Sequence, residues 1–326
     1  MQNKNLVADL HYYMTTLNVE KLSTIYQTTK GEINALDDVS FSLNEGESIG
    51  IAGESACGKS TLGLSIIRML IGGKIVSGKI KLDNESILDL PELEFDKRFR
   101  WKKIAMVFQG ALNTLDPVYT IKEQLVEVLK QHKFEGNFEK VIYDAINSLS
   151  LSEDVLKKYP HELSGGMKQR VVIAMALLLK PKFVVADEPT TALDVLIQAQ
   201  IVNLLKKLKK DGMSIMLITH DLAILSEIAD KVGIMYAGQM VEFGSSYDIF
   251  KNPKHPYTQG LLASIPTLHG TKPTYIKGIP PNLLDPKPEC RFIDRCPKAM
   301  EKCKKDPPNF KTDSGFVKCW LFDDKV

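Results

Sequence analysis

Gly53-Glu54-Ser55-Ala56-Cys57-Gly58-Lys59-Ser60 sets glycines, a lysine and a hydroxyl at the spacing G-x-x-x-x-G-K-[ST]. The chemistry of that pattern is phosphate binding. The glycines let the backbone bend until its amides point inward at phosphate oxygens. A helix starting near Lys59 and running through Thr61 adds the positive end of its dipole. The Lys59 ammonium reaches for the β- and γ-phosphates, and the Ser60 hydroxyl is a ligand for Mg²⁺. Glu54, Ser55, Ala56 and Cys57 complete the expected cradle. Cys57 is read as a small filler, with redox sensing as the alternative.

A second group supplies acids. Phe183-Val184-Val185-Ala186-Asp187-Glu188 is an apolar run ending in two carboxylates. Asp187 is placed to hold Mg²⁺ through water, and Glu188 to orient and polarise an attacking water. Alone, such a run could be a strand end meeting solvent. Paired with the phosphate loop it forms the second half of a nucleoside-triphosphatase site. His220 ends the next apolar run, in Ile218-Thr219-His220-Asp221, and is read as a γ-phosphate contact.

These residues need strands to carry them. Ser48 to Ala52, Phe183 to Ala186 and Ser214 to Thr219 are short runs rich in β-branched residues, suited to buried parallel strands. Helical patterns lie between them, as in Ile197 to Leu208. The order predicts an α/β domain with a parallel sheet, and residues 111–179 read as an almost wholly helical insertion. Of 16 prolines, 11 follow residue 250, so the chain from about Asn252 reads as irregular.

Composition bounds the class. The chain has 326 residues, 44% hydrophobic, with a formal charge of +2. That suits a packed core and gives no pull toward nucleic acid. No apolar run approaches the roughly 20 residues of a membrane span, and the first residues lack the features of a signal peptide. A cytosolic chain is expected, with any membrane role exercised through partners. Four of the five cysteines, Cys290, Cys296, Cys303 and Cys319, fall in the last 37 residues, which argues for a metal site over disulfides. Their intervening gaps of five, six and fifteen residues match neither common zinc nor ferredoxin spacing. From chemistry alone, four thiolates could take Zn²⁺ or an iron–sulfur cluster.

Leu163-Ser164-Gly165-Gly166-Met167-Lys168-Gln169-Arg170 resembles the signature motif of ABC-type ATPases. Ser164 with the amides of Gly165 and Gly166 would make an anion site at a helix start. Other family landmarks follow in order: Gln109 in Val107-Phe108-Gln109 resembles the Q-loop glutamine, Ala192-Leu193-Asp194 the D-loop, His220 the switch histidine, and Tyr26 the aromatic that stacks on adenine, although Tyr12 and Tyr13 lie upstream. The resemblance spans residues from about 15 to 322. It is nearest to the ATP-binding subunits of oligopeptide and dipeptide importers, through Phe108 to Asn113 with Asp116-Pro117, through His255 to Leu262, and through the cysteine tail.

The resemblance implies an α/β ABC-type core over residues 15–250 and an irregular Cys-rich extension over residues 251–326. It implies an ATPase motor for peptide uptake; an oligosaccharide or nickel importer, or a soluble non-transport ATPase, are the alternatives. Gln109 joins Ser60 and Asp187 at Mg²⁺ and joins Lys59, Glu188 and His220 in catalysis. Ser164, Gly165 and Gly166 act on a partner's nucleotide in a head-to-tail dimer. A second, homologous ATPase subunit, two transmembrane permeases and an extracellular binding protein complete the expected complex at the cytoplasmic face of the membrane. The tail resembles one that holds a [4Fe–4S] cluster in some members, which favours the cluster over zinc.

Overall fold

The computed structural model describes residues 15–110, 114–191, 193–265 and 275–323. Tyr12, Tyr13, the residues 111–113 and Ala192 lie outside them. Two sheets organise the core. β1 (Thr15–Thr28) and β2 (Gly31–Asn44) form a long antiparallel hairpin. β3 (Ser48–Ala52) leads through the phosphate loop into α1 (Lys59–Ile66). β4 (Gly73–Leu82) and β5 (Glu85–Ser86) return to the hairpin, so the first sheet is antiparallel in the order β2-β1-β4-β5. After α2 (Glu92–Arg98), β6 (Ile104–Val107) enters the second sheet.

Between β6 and the next strand stand the helices α3 (Ile121–Gln131), α4 (Phe138–Ser148) and α5 (Gly165–Leu177). Each has a polar residue at its start. Thr120 forms a reciprocal capping box with Glu123, Asn137 caps α4, and Ser164 caps α5. Their apolar stripes meet through Leu125, Leu129, Ile142, Ile146 and Val172, all buried.

The chain continues through β7 (Phe183–Asp187), α6 (Val195–Lys210), β8 (Ser214–Ile218), α7 (Leu222–Ile228), β9 (Lys231–Tyr236) and β10 (Gln239–Ser245). Then come α8 (Ser246–Lys251), α9 (Pro256–Ala263), β11 (Phe310–Lys311) and β12 (Phe316–Val317). The second sheet runs β11-β12-β10-β9-β3-β8-β7-β6. Its centre, from β9 through β3, β8 and β7 to β6, is parallel. β3, β6, β7 and β8 are buried at every position, as strands covered on both faces must be. The segments carrying Gly53, Gln109, Glu188 and His220 therefore all leave the carboxyl ends of neighbouring strands, where open α/β sheets gather ligands.

The part of the chain that reads as irregular docks closely on this sheet. β12 pairs with β10 and β11 with β12, which covers the sheet's edge. Under that edge, Glu242 accepts hydrogen bonds from the amides of Lys254 (2.7 Å) and His255 (3.0 Å), and His255 Nδ1 accepts from the Tyr257 amide at 3.0 Å. Burial pushes the His255 imidazole down to about 3, so it is neutral near pH 7 and serves as a helix cap. Among the described residues no helix is long and apolar enough to cross a membrane.

Candidate functional site

The phosphate loop is a tight arch between β3 and α1. Gly53 has φ 150° and Gly58 has φ 103°, both in the left-handed region that favours glycine. A Cβ at Gly53 would stand 2.1 Å from the Met235 carbonyl oxygen, and one at Gly58 2.5 Å from that of Ala35. Backbone packs against backbone here, so neither neighbour can yield. Ser55 and Ala56 are exposed at the crown, and Ser60 and Thr61 open the helix behind it.

Lys59 closes over this arch. Its Nζ donates to the carbonyls of Gly53 (2.8 Å) and Glu54 (2.9 Å) and lies 3.8 Å from Cys57 Sγ. The side chain is thus held folded back on its own loop. Burial pushes the Cys57 thiol up, against the opposing effect of Lys59. A protonated, buried thiol suits the filler role and lacks the exposed thiolate that redox sensing needs.

Asp187 ends β7 almost fully buried, 2% exposed. Burial raises its pKa and the neighbouring Glu188 adds to this, while the Ser60 hydroxyl and Lys59 act against it. Its Oδ1 has no hydrogen-bond partner. A buried carboxylate oxygen without a partner, beside a serine hydroxyl and a lysine ammonium, has the chemistry a hard divalent cation completes. Glu188 follows with φ 51°, a strained conformation for a residue with a Cβ and one that recurs at active sites. Its amide donates to the Ile218 carbonyl at 2.8 Å, which ties it to β8. Its carboxylate accepts from the Thr191 hydroxyl at 2.7 Å and stands 2.9 Å from His220 Nδ1. The His220 side chain is 70% exposed.

Gln109 is exposed just past β6, followed by Gly110 at φ 73°. Tyr26 sits half-buried on β1 opposite Ile33 and Gly73, with its ring against Gly73. Its described neighbours lie in the antiparallel sheet.

The signature residues form a separate group. The Ser164 hydroxyl accepts from the Met167 amide at 3.3 Å, and Ser164 and Gly165 are exposed. The nearest side chains to Gly165 and Gly166 are Leu193 and Ile197. Asp194, between these two, caps α6 through the Ile197 amide at 3.0 Å. The structure therefore joins Lys59, Ser60, Asp187, Glu188 and His220 in one cluster and Ser164, Gly165, Gly166 and Asp194 in another.

Sequence reasoning missed Thr191, Tyr257 and Arg295. Thr191 lies three residues past Glu188, and a hydroxyl at that offset was the available signal. Tyr257 and Arg295 hold Glu54 from the far end of the chain, and no local pattern announces such a contact.

In the tail, Cys303 and Cys319 are buried, Cys290 and Cys296 half-buried, and all are free thiols. Burial pushes the Cys290 thiol up to about 12, and Cys303, Cys319 and Cys296 add to the rise. The Cys290 amide donates to the Cys303 carbonyl at 2.9 Å. Among the described residues, however, no three Cys, His, Asp or Glu side chains stand close enough together to hold a metal ion.

Comparison with known proteins places this arrangement. The ABC transporter family profile matches residues 36–191, and the profile of the oligopeptide/dipeptide transporter C-terminal region matches residues 241–303. The chain is 44% identical over 322 residues to the oligopeptide transport ATP-binding protein AppD of Bacillus subtilis, covering 95% of this chain and 98% of that one. It is 42% identical to the dipeptide transport ATP-binding protein DppD of the same organism, covering 95% and 96%. It is 44% identical to the oligopeptide transport ATP-binding protein OppD of Escherichia coli, covering 90% and 88%. Among solved structures it is similar to a dimeric ATP-binding cassette bound to ADP and Pi, with a TM-score of 0.63 and 30% identity over 71% of this chain and 98% of that one.

Proposed function

We propose a mechanism from one premise: this chain belongs to the ABC transporter ATPases, in their oligopeptide and dipeptide transport branch. It hydrolyses ATP and drives a peptide importer whose permeases supply the path through the membrane. The observation that carries the peptide reading is the length of the match, which includes the C-terminal region as well as the ATPase core.

Lys59 exchanges the Gly53 and Glu54 carbonyls for β- and γ-phosphate oxygens, while the loop amides and the start of α1 hold the rest of the polyphosphate. Ser60, Asp187 and Gln109 would hold the Mg²⁺ that accompanies ATP, which would neutralise phosphate charge there. Glu188 orients the attacking water and accepts its proton. His220 fixes the Glu188 carboxylate through Nδ1 and offers its outer ring nitrogen to the γ-phosphate. Tyr26 stacks on the adenine.

The second cluster of Ser164, Gly165, Gly166 and Asp194 completes the site of a partner subunit, here a homologous but different ATPase chain. ATP then closes the pair and hydrolysis reopens it. Two permeases and an extracellular binding protein complete the complex, with this chain peripheral at the cytoplasmic face. The deciding measurement is uptake of a labelled tripeptide by cells with and without this chain. Loss of uptake supports the reading, and undiminished uptake removes it.

Cys290, Cys296, Cys303 and Cys319 hold a [4Fe–4S] cluster, with Zn²⁺ as the other occupant four thiolates suit. The support is the grouping of these four cysteines in a tail that matches the oligopeptide/dipeptide transporter C-terminal region, with no disulfide among them. Protein purified without oxygen is expected to contain about four irons and four acid-labile sulfides per chain. One zinc without sulfide would assign the tail to zinc.

A further inference from the structure

Glu54 is an awkward residue for its place. It puts a carboxylate in the first turn of a loop built to receive a polyanion. The structure holds its amide and carboxylate from outside the loop and its carbonyl by Lys59 and, at 3.4 Å, the Cys57 amide. The Glu54 amide donates to Tyr257 Oη at 2.9 Å. Its carbonyl accepts from Lys59 Nζ at 2.9 Å. Its carboxylate takes a two-pronged bond from Arg295, Nη1 to Oε2 at 2.8 Å and Nη2 to Oε1 at 2.9 Å.

Arg295 is itself prepared for this role. Its side chain is 5% exposed. Nε donates to the Lys277 carbonyl at 3.1 Å and Nη1 to Tyr236 Oη at 3.2 Å, and the guanidinium stands 5.6 Å from the Tyr236 ring centre. The Tyr236 ring in turn packs 4.6 Å from Tyr257. A planar fork held on three sides meets a carboxylate with little freedom left to lose.

We propose that Arg295 is a positioning residue of the nucleotide site: its guanidinium neutralises Glu54 and draws that carboxylate away from the bound phosphates. The inference rests on the reading of residues 53–60 as the phosphate cradle. It makes the affinity of the loop for ATP depend on the segment next to Cys296, because the chain neighbour of that cysteine is the counter-ion. Without Arg295, a bare carboxylate faces the triphosphate. A unit charge about 10 Å from another, at an effective dielectric near 20, weakens binding about tenfold.

A plain stapling role for Arg295, fastening the tail to the core, predicts something different, and a second substitution separates the two. The experiment uses the full chain, a non-hydrolysable ATP analogue with Mg²⁺ in a calorimeter, and steady-state ATP hydrolysis. Arg295→Ala is expected to weaken analogue binding about tenfold and raise KM to match, with kcat within about twofold. Adding Glu54→Gln to Arg295→Ala is expected to restore binding to within about threefold of wild type, because the repelling charge is gone. Arg295→Gln, which removes the charge but keeps a planar hydrogen-bonding end, is also expected to weaken binding about tenfold, and it decides the matter if the alanine variant does not fold.

Wild-type affinity in folded Arg295→Ala overturns the proposal. So does failure of Glu54→Gln to restore it, or wild-type affinity in folded Arg295→Gln. A wild-type chain that binds no analogue overturns instead the reading of residues 53–60.

Discussion

Glu188→Gln is expected to lower ATP turnover by about 10²- to 10⁴-fold while leaving nucleotide binding within a few-fold of wild type. The substitution keeps the shape of the side chain and retains an oxygen to accept from the Thr191 hydroxyl, now at 2.7 Å. The backbone at φ 51° is held by the Glu188 amide on the Ile218 carbonyl at 2.8 Å, which glutamine preserves. What disappears is the negative charge that takes the proton from water, so the loss falls on kcat. Hydrolysis at saturating ATP, measured beside equilibrium binding, separates the two effects. Turnover within threefold of wild type would remove Glu188 from the role of base.

Lys59→Ala is expected to fail one step earlier. A unit charge 4 Å from a phosphate oxygen, at an effective dielectric near 20, contributes about 4 kcal/mol, so a loss of at least about 100-fold in ATP affinity is expected. The same change leaves the Gly53 carbonyl without its donor and the Glu54 carbonyl with only the Cys57 amide at 3.4 Å. Leaving such groups unpaired costs about 1–3 kcal/mol, so the empty protein should also melt lower. Glu188→Gln, by contrast, should melt like wild type. A Lys59→Ala chain that binds ATP normally would mean that the folded-back lysine never leaves its loop.

Much of the catalytic cluster was legible because its residues sit where strands end. Ser48 to Ala52 and Phe183 to Asp187 are short, wholly buried strands, and a buried parallel strand advertises itself by an unbroken apolar run. The glycine–lysine loop and the Asp187-Glu188 pair then follow at fixed offsets. The start of α5 was equally readable, since Ser164 caps it where the Ser-Gly-Gly run suggested, whereas the separate starts of α3 and α4 were not read.

The hairpin of β1 and β2 was not legible. Register shifts at four points between Thr15 and Ile25 break the alternation that marks a half-buried strand. β11 and β12, two residues each, are too short to carry any period. The partners of Glu54 were hidden for another reason. Arg295 lies 241 positions further along the chain, and contacts at that range are set by topology.

That separation has a temporal side. A ribosome adds about 5 to 20 residues per second, so roughly 12 to 48 seconds pass between the making of Glu54 and of Arg295. The strands that close the sheet's edge, Phe310–Lys311 and Phe316–Val317, emerge later still. During that interval the phosphate loop exists with its carboxylate uncompensated, and β10, once made, lacks β12. A chain released early through truncation therefore carries a recognisable ATP loop that lacks its counter-ion, on a sheet with an open, sticky edge. The later-made segment supplies what the earlier one lacks, a counter-ion for Glu54 from Arg295 and a partner strand for β10 from β12.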